Sequence, residues 1–251
     1  MTDLDVLPSL STEFSSAKLG DTRRTKRVMK VADMAMRAAG ESLLQQAGGD
    51  LSVVEGTYRL LGNENLEPEQ VLAAHQESTA KRAEAFDEVV ISHDTTSFEF
   101  KGESLREGLG LMCGQGQGMY AHYSIALSRS GEPLGLLGLR VWRRGPAPKV
   151  KLHPRERGLD EDRESLRWHD AVHEVAERLE GKSQAIHVMD READSYELLA
   201  DLLEHDQRFV VRVSHNRLLG AGDPSGNTHL YTAMAGTEVL LQREVQLSRK
   251  A

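Results

Sequence analysis

Two short apolar segments of this sequence lead into aspartates, and they constrain the fold more than any other feature. Ala185–Met189 runs into Asp190, and Val89–Ser92 is followed closely by Asp94. An acid at the carboxyl end of a buried strand faces the crevice in which α/β sheets place their functional groups. Two such acids predict a divalent-cation site that acts on phosphate. The third carboxylate that such a site usually contains is not evident in the sequence.

Both aspartates also have a purely structural interpretation. Asp94 could start a turn with Thr95 and Thr96, and Asp190 could cap the helix that follows it. Against this, carboxylate oxygens are the hard ligands that Mg²⁺ or Mn²⁺ prefers. The residues alone leave both interpretations open.

The composition bounds the class of protein. At 39% hydrophobic and 28% charged residues it is typical of a globular chain. The single cysteine, Cys113, allows no internal disulfide and fits a reducing cytosol. The amino terminus lacks the features of a signal peptide, and the strongest apolar run, near Leu134–Leu139, is too short to span a bilayer. We therefore expect a cytoplasmic protein with no membrane partner.

Two clusters of basic residues interrupt an acidic chain. The net charge of −8 argues weakly against nucleic-acid binding, but Lys18 to Lys30 and Arg140 to Arg157 are each strongly basic. Local patches of this kind can bind phosphate whatever the average charge. They can equally be two solvated faces, and charge alone does not decide between the alternatives.

The first third of the chain has a helical pattern. Apolar residues recur at helical spacing over Thr22–Ala39, with Asp21 placed to cap the amino end. A second helix is predicted over Leu51–Leu61, and a third over about 69–85 with Pro68 in its first turn.

From Val89 onward the pattern changes to strands and helices. The predicted elements are strands at 89–92, 119–128 and 134–143, a helix at 161–179, a strand at 185–189, a helix at 192–204, and strands at 208–213 and 238–247. Turns are predicted at 129–133 and 223–227. This order predicts a mixed sheet flanked by helices. The fold class is therefore α+β, with a helical domain over 1–86 and an α/β core over 87–251.

Other candidate residues carry weaker signals. Gly114–Gly118 resembles a phosphate-cradling loop, but it lacks dinucleotide spacing and precedes a predicted strand, not a helix, so a mobile loop is the favoured interpretation. His122 could approach the acids, although a satisfied histidine on a sheet face is more common. His153 and His169 show no zinc-ligand spacing with cysteines, so we expect no metal other than Mg²⁺ or Mn²⁺.

An ordered set of motifs resembles the Tn-five-like transposases, bacterial cut-and-paste enzymes of the insertion-sequence-four group. The segments similar to their amino-terminal DNA-binding region are Leu19–Arg24 and Glu55–Asn63. The segments similar to their two catalytic blocks are Asp94–Ser97, Asp190–Asp194 and Arg208–Arg212. Further family features lie between the blocks, at Gly108–His122 and Glu164–Trp168. The resemblance covers nearly the whole chain in the family's order.

The resemblance implies an RNase H-like core with an Asp-Asp-Glu metal triad. Asp94 and Asp190 would be the first two ligands of Mg²⁺ or Mn²⁺. Such enzymes bind the inverted-repeat ends of a transposon, cleave the strands with divalent metal, and join the element to target DNA. The implied setting is the bacterial cytoplasm, in association with the nucleoid.

The resemblance also implies which basic residues contact double-stranded DNA. Arg23, Arg24 and Arg27 would bind transposon-end phosphates or bases, and Arg212 would lie along the DNA near the active site. Phosphate contacts of this kind position a duplex, whereas base contacts specify its sequence.

The sequence departs from the family at the third acid. That acid lies in a Tyr-x2-Arg-x3-Glu-x6-Lys helix, and nothing in the 61 residues after Asp190 (251 − 190) matches it. Glu192 belongs to the second block and is no substitute. The dimerising carboxyl-terminal domain has no counterpart either. We therefore predict a truncated DDE transposase whose incomplete core ends within the β-rich insertion, and which is inactive alone.

Two alternatives follow from this departure. The chain could be a non-catalytic fragment that binds transposon ends and competes with intact transposase, or an inert gene remnant. A generic RNase H-like nuclease is disfavoured because it does not explain the amino-terminal motifs.

Overall fold

The computed structural model describes residues 10–102, 106–112, 116–145, 163–220, 228–242 and 244. Helices come first, and a six-stranded mixed sheet with further helices follows. The helices are α1 (Leu10–Glu13), α2 (Thr22–Arg37), α3 (Leu43–Gln46), α4 (Leu51–Leu61), α5 (Pro68–Ala83), α6 (Arg167–Leu179), α7 (Tyr196–Glu204) and α8 (Leu230–Ala235). The strands are β1 (Glu88–Phe100), β2 (Gly110–Leu111), β3 (Gln117–Leu127), β4 (Pro133–Trp142), β5 (Gln184–Met189) and β6 (Arg208–Val211). The 3₁₀ turns Glu164–Leu166 and Arg191–Ala193 precede α6 and α7.

The amino-terminal helices begin where their capping residues predict. Asp21 accepts a hydrogen bond from the Arg23 main-chain N–H at 2.8 Å, and Asp50 accepts one from Ser52 at 2.9 Å. Pro68 occupies the first position of α5, where its missing N–H costs no hydrogen bond. The predicted bounds of α4 are confirmed, whereas α2 ends two residues before the predicted end.

Helix α5 connects the amino-terminal helices to the sheet. In its middle, Ala74 packs in a buried cluster with Leu19, Val28 and Leu60 of the preceding elements. At its end, Ala83 belongs to the main cluster beneath the sheet. The helix thus contributes to both hydrophobic clusters, and the proposed division into 1–86 and 87–251 stays a prediction.

A buried ion pair strengthens the same connection. Glu13, at the end of α1, is only 4% exposed and accepts two hydrogen bonds of 2.8 Å from the Arg82 guanidinium. Its carboxylate also lies 2.8 Å from Nδ1 of His75. Arg82 in turn donates to the main-chain oxygen of Leu134 in β4, at 2.7 Å. The first helix is therefore tied to the sheet through α5.

The sheet has the strand order β2-β3-β1-β5-β6, and β4 also pairs with β3. Strands β1 and β3 are antiparallel, whereas β1, β5 and β6 run parallel to one another. Strands β3 and β4 form the predicted hairpin. The prediction of a mixed sheet is confirmed, and so is the predicted order of elements, except that the short strand β2 was not predicted.

One face of the sheet carries the core. Alternate residues of the central strands, Val89 and Ile91 in β1 and Ala185 in β5, are buried against α5 and α6. Helix α7 packs Leu198 and Leu202 near Met189 at the end of β5, with Trp168 of α6.

The opposite face is less covered. The residues on this face include Val90, Ile186, Val188 and Val210. None of these four belongs to the three buried hydrophobic clusters found among the described residues. Val210 is 58% exposed.

Several predicted elements have different bounds. The strand predicted over 89–92 extends to Phe100, because the β-branched and aromatic residues after Asp94 pair with β3 along their whole length. The helix predicted over 192–204 is split, because Ser195 caps a new helix by accepting from the Leu198 N–H at 3.2 Å. The helix predicted over 161–179 begins as a 3₁₀ turn at Glu164, residues 161–162 being outside the described part of the chain.

The predicted strand at 238–247 is wrong for the part that is described. Residues 238–242 and 244 adopt no strand, and Leu240 is 91% exposed, so these residues lack the neighbouring strand that pairing requires. The short helix α8 was not predicted. The predicted turn at 223–227 lies outside the described residues.

Candidate metal site and DNA-binding surface

Asp94 lies within β1, and Asp190 directly follows β5, the neighbouring parallel strand. The last paired residues of β1 and β5 are Ser92 and Val188, so each aspartate lies two residues beyond that pair. Neighbouring strands in a sheet lie about 4.8 Å apart. Period-two alternation directs the Asp94 side chain to the face opposite the core helices. The two acids that the sequence singled out therefore lie at the same end of adjacent strands.

The row of polar residues extends to both sides of this pair. Tyr123 of β3 is opposite Asp94 and donates its hydroxyl to the carboxylate at 3.1 Å. On the other side, Met189 pairs with Val211, and the Arg212 N–H donates to the Met189 oxygen at 3.1 Å. The same register places Arg212 beside Asp190. Sequence reasoning had found Asp94, Asp190 and Arg212, but it missed Tyr123, because strand alternation does not reveal which residues face each other across a hairpin.

The interpretation of Asp190 as a cap of the following helical turn is correct, whereas the interpretation of Asp94 as the start of a turn is wrong. Asp190 caps a 3₁₀ turn by accepting the Glu192 N–H at 2.8 Å. Asp94 starts no turn, since it lies within β1, at the point where β1 is no longer paired with β5. It accepts the N–H of Thr95 at 2.8 Å and is exposed. Capping uses only one carboxylate oxygen, so it is compatible with metal binding through the other.

Arg167 of α6 connects β1 to the 3₁₀ turn that follows β5. Its guanidinium donates to Thr95 Oγ1 at 3.0 Å and pairs with Glu192 at 2.7 Å. It also lies over the rings of Trp142 and Trp168, at 5.7 and 5.3 Å from their centroids. The Glu192 carboxylate is therefore held in a structural ion pair with Arg167.

A third carboxylate does not complete the pair among the residues that the structure describes. No further aspartate or glutamate there forms a three-ligand group with Asp94 and Asp190. Asp194, four residues after Asp190, is buried and directed elsewhere. It accepts the main-chain N–H groups of Ser214 at 2.6 Å and His215 at 3.0 Å, and it forms an ion pair with Arg217.

The pKa of Asp194 reflects this setting. Burial alone would raise the pKa, but the hydrogen bonds from Ser214 and His215 and the Arg217 guanidinium outweigh it and lower the pKa to about 2. Asp194 is therefore a charged anchor for the segment that follows β6.

A layer of buried histidines lies on the other face of the sheet. His93 of β1 shares a hydrogen bond of 2.8 Å with His187 of β5 and one of 3.0 Å with Ser124 of β3. His122 contacts Thr95 Oγ1 at 2.9 Å and is 2% exposed. Its ring belongs to the side of the sheet away from Asp94. His122 is therefore a buried histidine on the sheet face, as expected, but it is only half satisfied, because its Nε2 has no hydrogen-bond partner among the described residues.

The pKa values of these histidines are low. Burial, and then the neighbouring His187, hold the pKa of His93 well below 6.5. Burial and then Arg167 lower the pKa of His122 to about 4, and burial lowers that of His187 to about 4. All three rings are neutral at neutral pH, which suits a layer with little access to water.

Helix α2 presents the candidate DNA-binding surface. Arg23, Lys26 and Lys30 are exposed and recur at helical spacing, so they line one face, whereas Val28 is buried. Arg23 pairs with Asp21 at 2.9 Å, yet its side chain stays 89% exposed. Lys26 and Lys30 belonged to the basic cluster in the sequence but were not among the predicted contact residues.

Arg24 and Arg27 make contacts within the protein. Arg24 donates to the main-chain oxygens of Leu19 at 2.9 Å and Asn65 at 3.3 Å. The Arg27 guanidinium lies against Gly56 of α4. A Cβ atom added at Gly56 would lie only 2.6 Å from Nη1 of Arg27, so the close contact requires glycine there. Arg24 thus ties the start of α2 to the loop before α5, and Arg27 packs α2 against α4.

The other sequence candidates are less informative. In the second basic cluster, Arg140 pairs with Asp170, and Arg144 pairs with Glu164 at 2.6 Å. Residues 146–157 of that cluster, with His153, lie outside the described part, as do Cys113 and residues 114–115 of the segment that resembles a phosphate loop. The rest of that segment is described: Gly116 precedes β3, and Gln117 and Gly118 are the first two residues of that strand.

Comparison with known families identifies the amino-terminal helices. Residues 9–66 match the family model described as transposase DNA-binding, and the match ends just before α5. It contains α2 and its basic face. The match supports a transposase whose partner is DNA. Among the helices that the structure describes, none is long and apolar enough to cross a membrane.

Proposed function

We propose that this chain is a transposase of the Tn-five-like, insertion-sequence-four type, which binds transposon inverted-repeat ends through its amino-terminal helices. The match of residues 9–66 to transposase DNA-binding carries the proposal. The exposed basic face of α2 supplies the charge that neutralises DNA phosphates, with Arg23, Lys26 and Lys30 at the surface. The remainder of the chain would be the RNase H-like core.

The proposed metal ligands are Asp94 and Asp190, with Mg²⁺ or Mn²⁺ as the ion. Two carboxylates on adjacent strands form an all-oxygen donor set, which fits these hard cations. When bound, the ion would supply charge and Lewis acidity for cleavage and transfer of DNA strands. Tyr123 holds the Asp94 carboxylate by its hydroxyl at 3.1 Å, and Arg212 lies on the other side of the pair, where a DNA phosphate would approach.

The DNA-binding proposal predicts a specific response to substitution on α2. Replacing both Lys26 and Lys30 by alanine should weaken binding to transposon-end DNA and reduce the slope of log affinity against log salt by about 2, since each lost phosphate contact contributes about 0.9. Fluorescence anisotropy over a salt series measures both quantities. Lys81, exposed near the end of α5 and outside the matched segment, is the control position.

Substitutions of Arg24 and Arg27 require a separate test, because both side chains also make contacts that stabilise the folded protein. Arg24→Ala and Arg27→Ala should weaken binding, and thermal melting then separates direct contact from loss of structure. The proposal fails if the Lys26/Lys30 variant binds end DNA as tightly as the unmodified chain. It also fails if the chain binds end DNA no better than random DNA.

The metal proposal makes a second prediction. Asp94→Asn or Asp190→Asn should weaken Mn²⁺ binding by at least about tenfold, because even residues that only orient a metal ligand are worth about 10–100-fold. Electron paramagnetic resonance of free Mn²⁺ in a titration with the DNA-bound chain measures this affinity. Asp87→Asn, an exposed acid just before β1, is the matched control. Unchanged Mn²⁺ affinity in both site variants would show that the ion binds elsewhere.

A non-catalytic role is the second candidate, and one observation favours it. Within the described residues no third carboxylate completes the Asp94 and Asp190 pair. Phosphoryl transfer depends on fixed charge around the phosphate, so a two-carboxylate site should be severely impaired. A chain that binds transposon ends tightly but cleaves them no faster than Asp190→Asn would act as a competitor of intact transposase. An inert remnant would bind neither DNA nor metal specifically.

A further inference from the structure

A second group of metal-ligating side chains lies where α6 and α7 meet, away from the acids discussed above. His169 and His173 are four residues apart on α6, and Asp201 on α7 is four residues before His205, which follows the helix end. Residues at this spacing share one helix face. Two such pairs therefore converge from facing helices, with Asp201 in the middle.

The distances within this group are short. Nε2 of His173 lies 3.0 Å from Asp201 Oδ2, and Nδ1 of His205 lies 3.2 Å from Oδ1. Nδ1 of His169 lies 3.4 Å from Oδ2. One ligand atom from each of His173, Asp201 and His205 falls within 4.8 Å of the others. The His173 and His205 rings also meet edge to face, 4.8 Å between centroids.

We propose that His173, Asp201 and His205 bind a transition-metal ion of the Zn²⁺ class. With bonds of about 2.0–2.1 Å, the ligand atoms of a tetrahedral site lie about 3.3–3.5 Å apart, so small side-chain movements suffice. Two imidazoles and one carboxylate are a donor set that zinc accepts, with water at the fourth position. His169 contacts the same carboxylate and orients it.

This site differs in chemistry from the carboxylate pair of the proposed function. Imidazole nitrogen favours Zn²⁺ and its neighbours in the transition series, whereas an all-oxygen pair favours Mg²⁺ or Mn²⁺. The inference therefore does not depend on the transposase proposal. The site was not predicted, because it contains no cysteine and its ligands come from two separate helices, although the Asp201-x3-His205 spacing is visible in the sequence.

Metal binding would replace the present hydrogen bonds of the group. An imidazole nitrogen that now donates to Asp201 would coordinate the ion instead, and the ring would adopt the tautomer that carries its proton on the other nitrogen. Nδ1 of His205 also lies 2.9 Å from the main-chain oxygen of Asp201, a contact that coordination would break. The ion would cross-link α6 and α7, which together bury Trp168, Leu198 and Leu202. Binding only to the folded chain must raise its melting temperature.

The test is a ZnCl₂ titration of the full chain after removal of metal with a chelator. Isothermal titration calorimetry should show that this site saturates at one zinc ion per chain. At saturating zinc, the melting temperature of the chain should rise by at least about 3 °C. Substituting Co²⁺ should give the visible absorption of a tetrahedral complex. His173→Ala and His205→Ala should each weaken zinc binding by at least about tenfold, as expected when a ligand is lost.

Control variants make the outcome unambiguous. His229→Ala removes an exposed histidine outside the group and should bind zinc as the unmodified chain does. Asp94→Asn with Asp190→Asn should also leave zinc binding intact, which separates this site from the proposed Mg²⁺ site. The side chains of His173 and His205 are 43% and 50% exposed, so their removal should spare the fold, and melting without metal verifies this. If His173→Ala is unstable without metal, His173→Gln is used in its place to remove the ligand.

Three results would each overturn the proposal. One is the absence of saturable zinc binding with a thermal shift in the unmodified chain. Another is zinc affinity that survives in both His173→Ala and His205→Ala. The last is zinc affinity that disappears in the Asp94/Asp190 double variant, which would assign the ion to the carboxylate pair.

Discussion

We expect Glu13→Ala to lower the free energy of unfolding by about 3–5 kcal/mol, the cost of leaving one member of a buried ion pair unpaired. Glu13 is 4% exposed and accepts two hydrogen bonds from Arg82, which is itself held to the Leu134 main chain. Without Glu13, the Arg82 guanidinium would remain buried with too few acceptors. Urea denaturation followed by circular dichroism measures the change.

Glu55→Ala is the matched control for this prediction. Glu55 pairs with Arg59 one turn along α4, but the two side chains are 64% and 76% exposed. Because exposed ion pairs contribute about 0–1 kcal/mol, the control should differ little from the unmodified chain. A Glu13→Ala chain as stable as the control would show that the pair does not hold α1 to the sheet.

We also expect the free energy of unfolding to fall steeply as the pH falls from about 6.5 to about 4. Burial lowers the pKa values of His93, His122 and His187 in the folded chain, to about 4 for the last two. Burial lowers the pKa of His75 as well. The unfolded chain, with histidine pKa values near 6.5, therefore binds more protons in this range, so acid favours unfolding. Each histidine contributes on the order of 1 kcal/mol per pH unit.

Asp194 acts in the same direction but at lower pH. Its pKa is lowered to about 2 in the folded chain, so its stabilisation is complete above the unfolded value of 3.8 and is lost as the pH falls toward 2. The two effects can therefore be separated by their pH ranges.

Denaturation curves at several pH values between about 7 and about 4 measure the slope. His122→Gln should make it shallower, because one group that titrates on unfolding is gone. His229→Ala should leave it unchanged, since His229 is exposed. A free energy that stays flat through this range would contradict burial of the histidines as neutral groups.

Local patterns predicted the elements of this fold where local forces decide them. The cap Asp21 and the position of Pro68 determine where α2 and α5 start, and each depends on a few neighbouring residues. The same approach failed at residues 238–242 and 244, the described part of a predicted strand. A strand needs a partner, and the described residues there have none.

The candidate site shows the same division. The sequence by itself determined that Asp94 and Asp190 each follow an apolar strand segment, and that basic residues cluster on α2, because strand and helix periodicity are local properties. Only the tertiary structure decided that Tyr123 faces Asp94, that Glu192 pairs with Arg167, and that Arg24 binds main-chain oxygens. Strand register and helix packing set those contacts, and both depend on residues far apart in the chain. The same is true of His173 and His205, which meet around Asp201 because the shared core of α6 and α7 brings their two helices together.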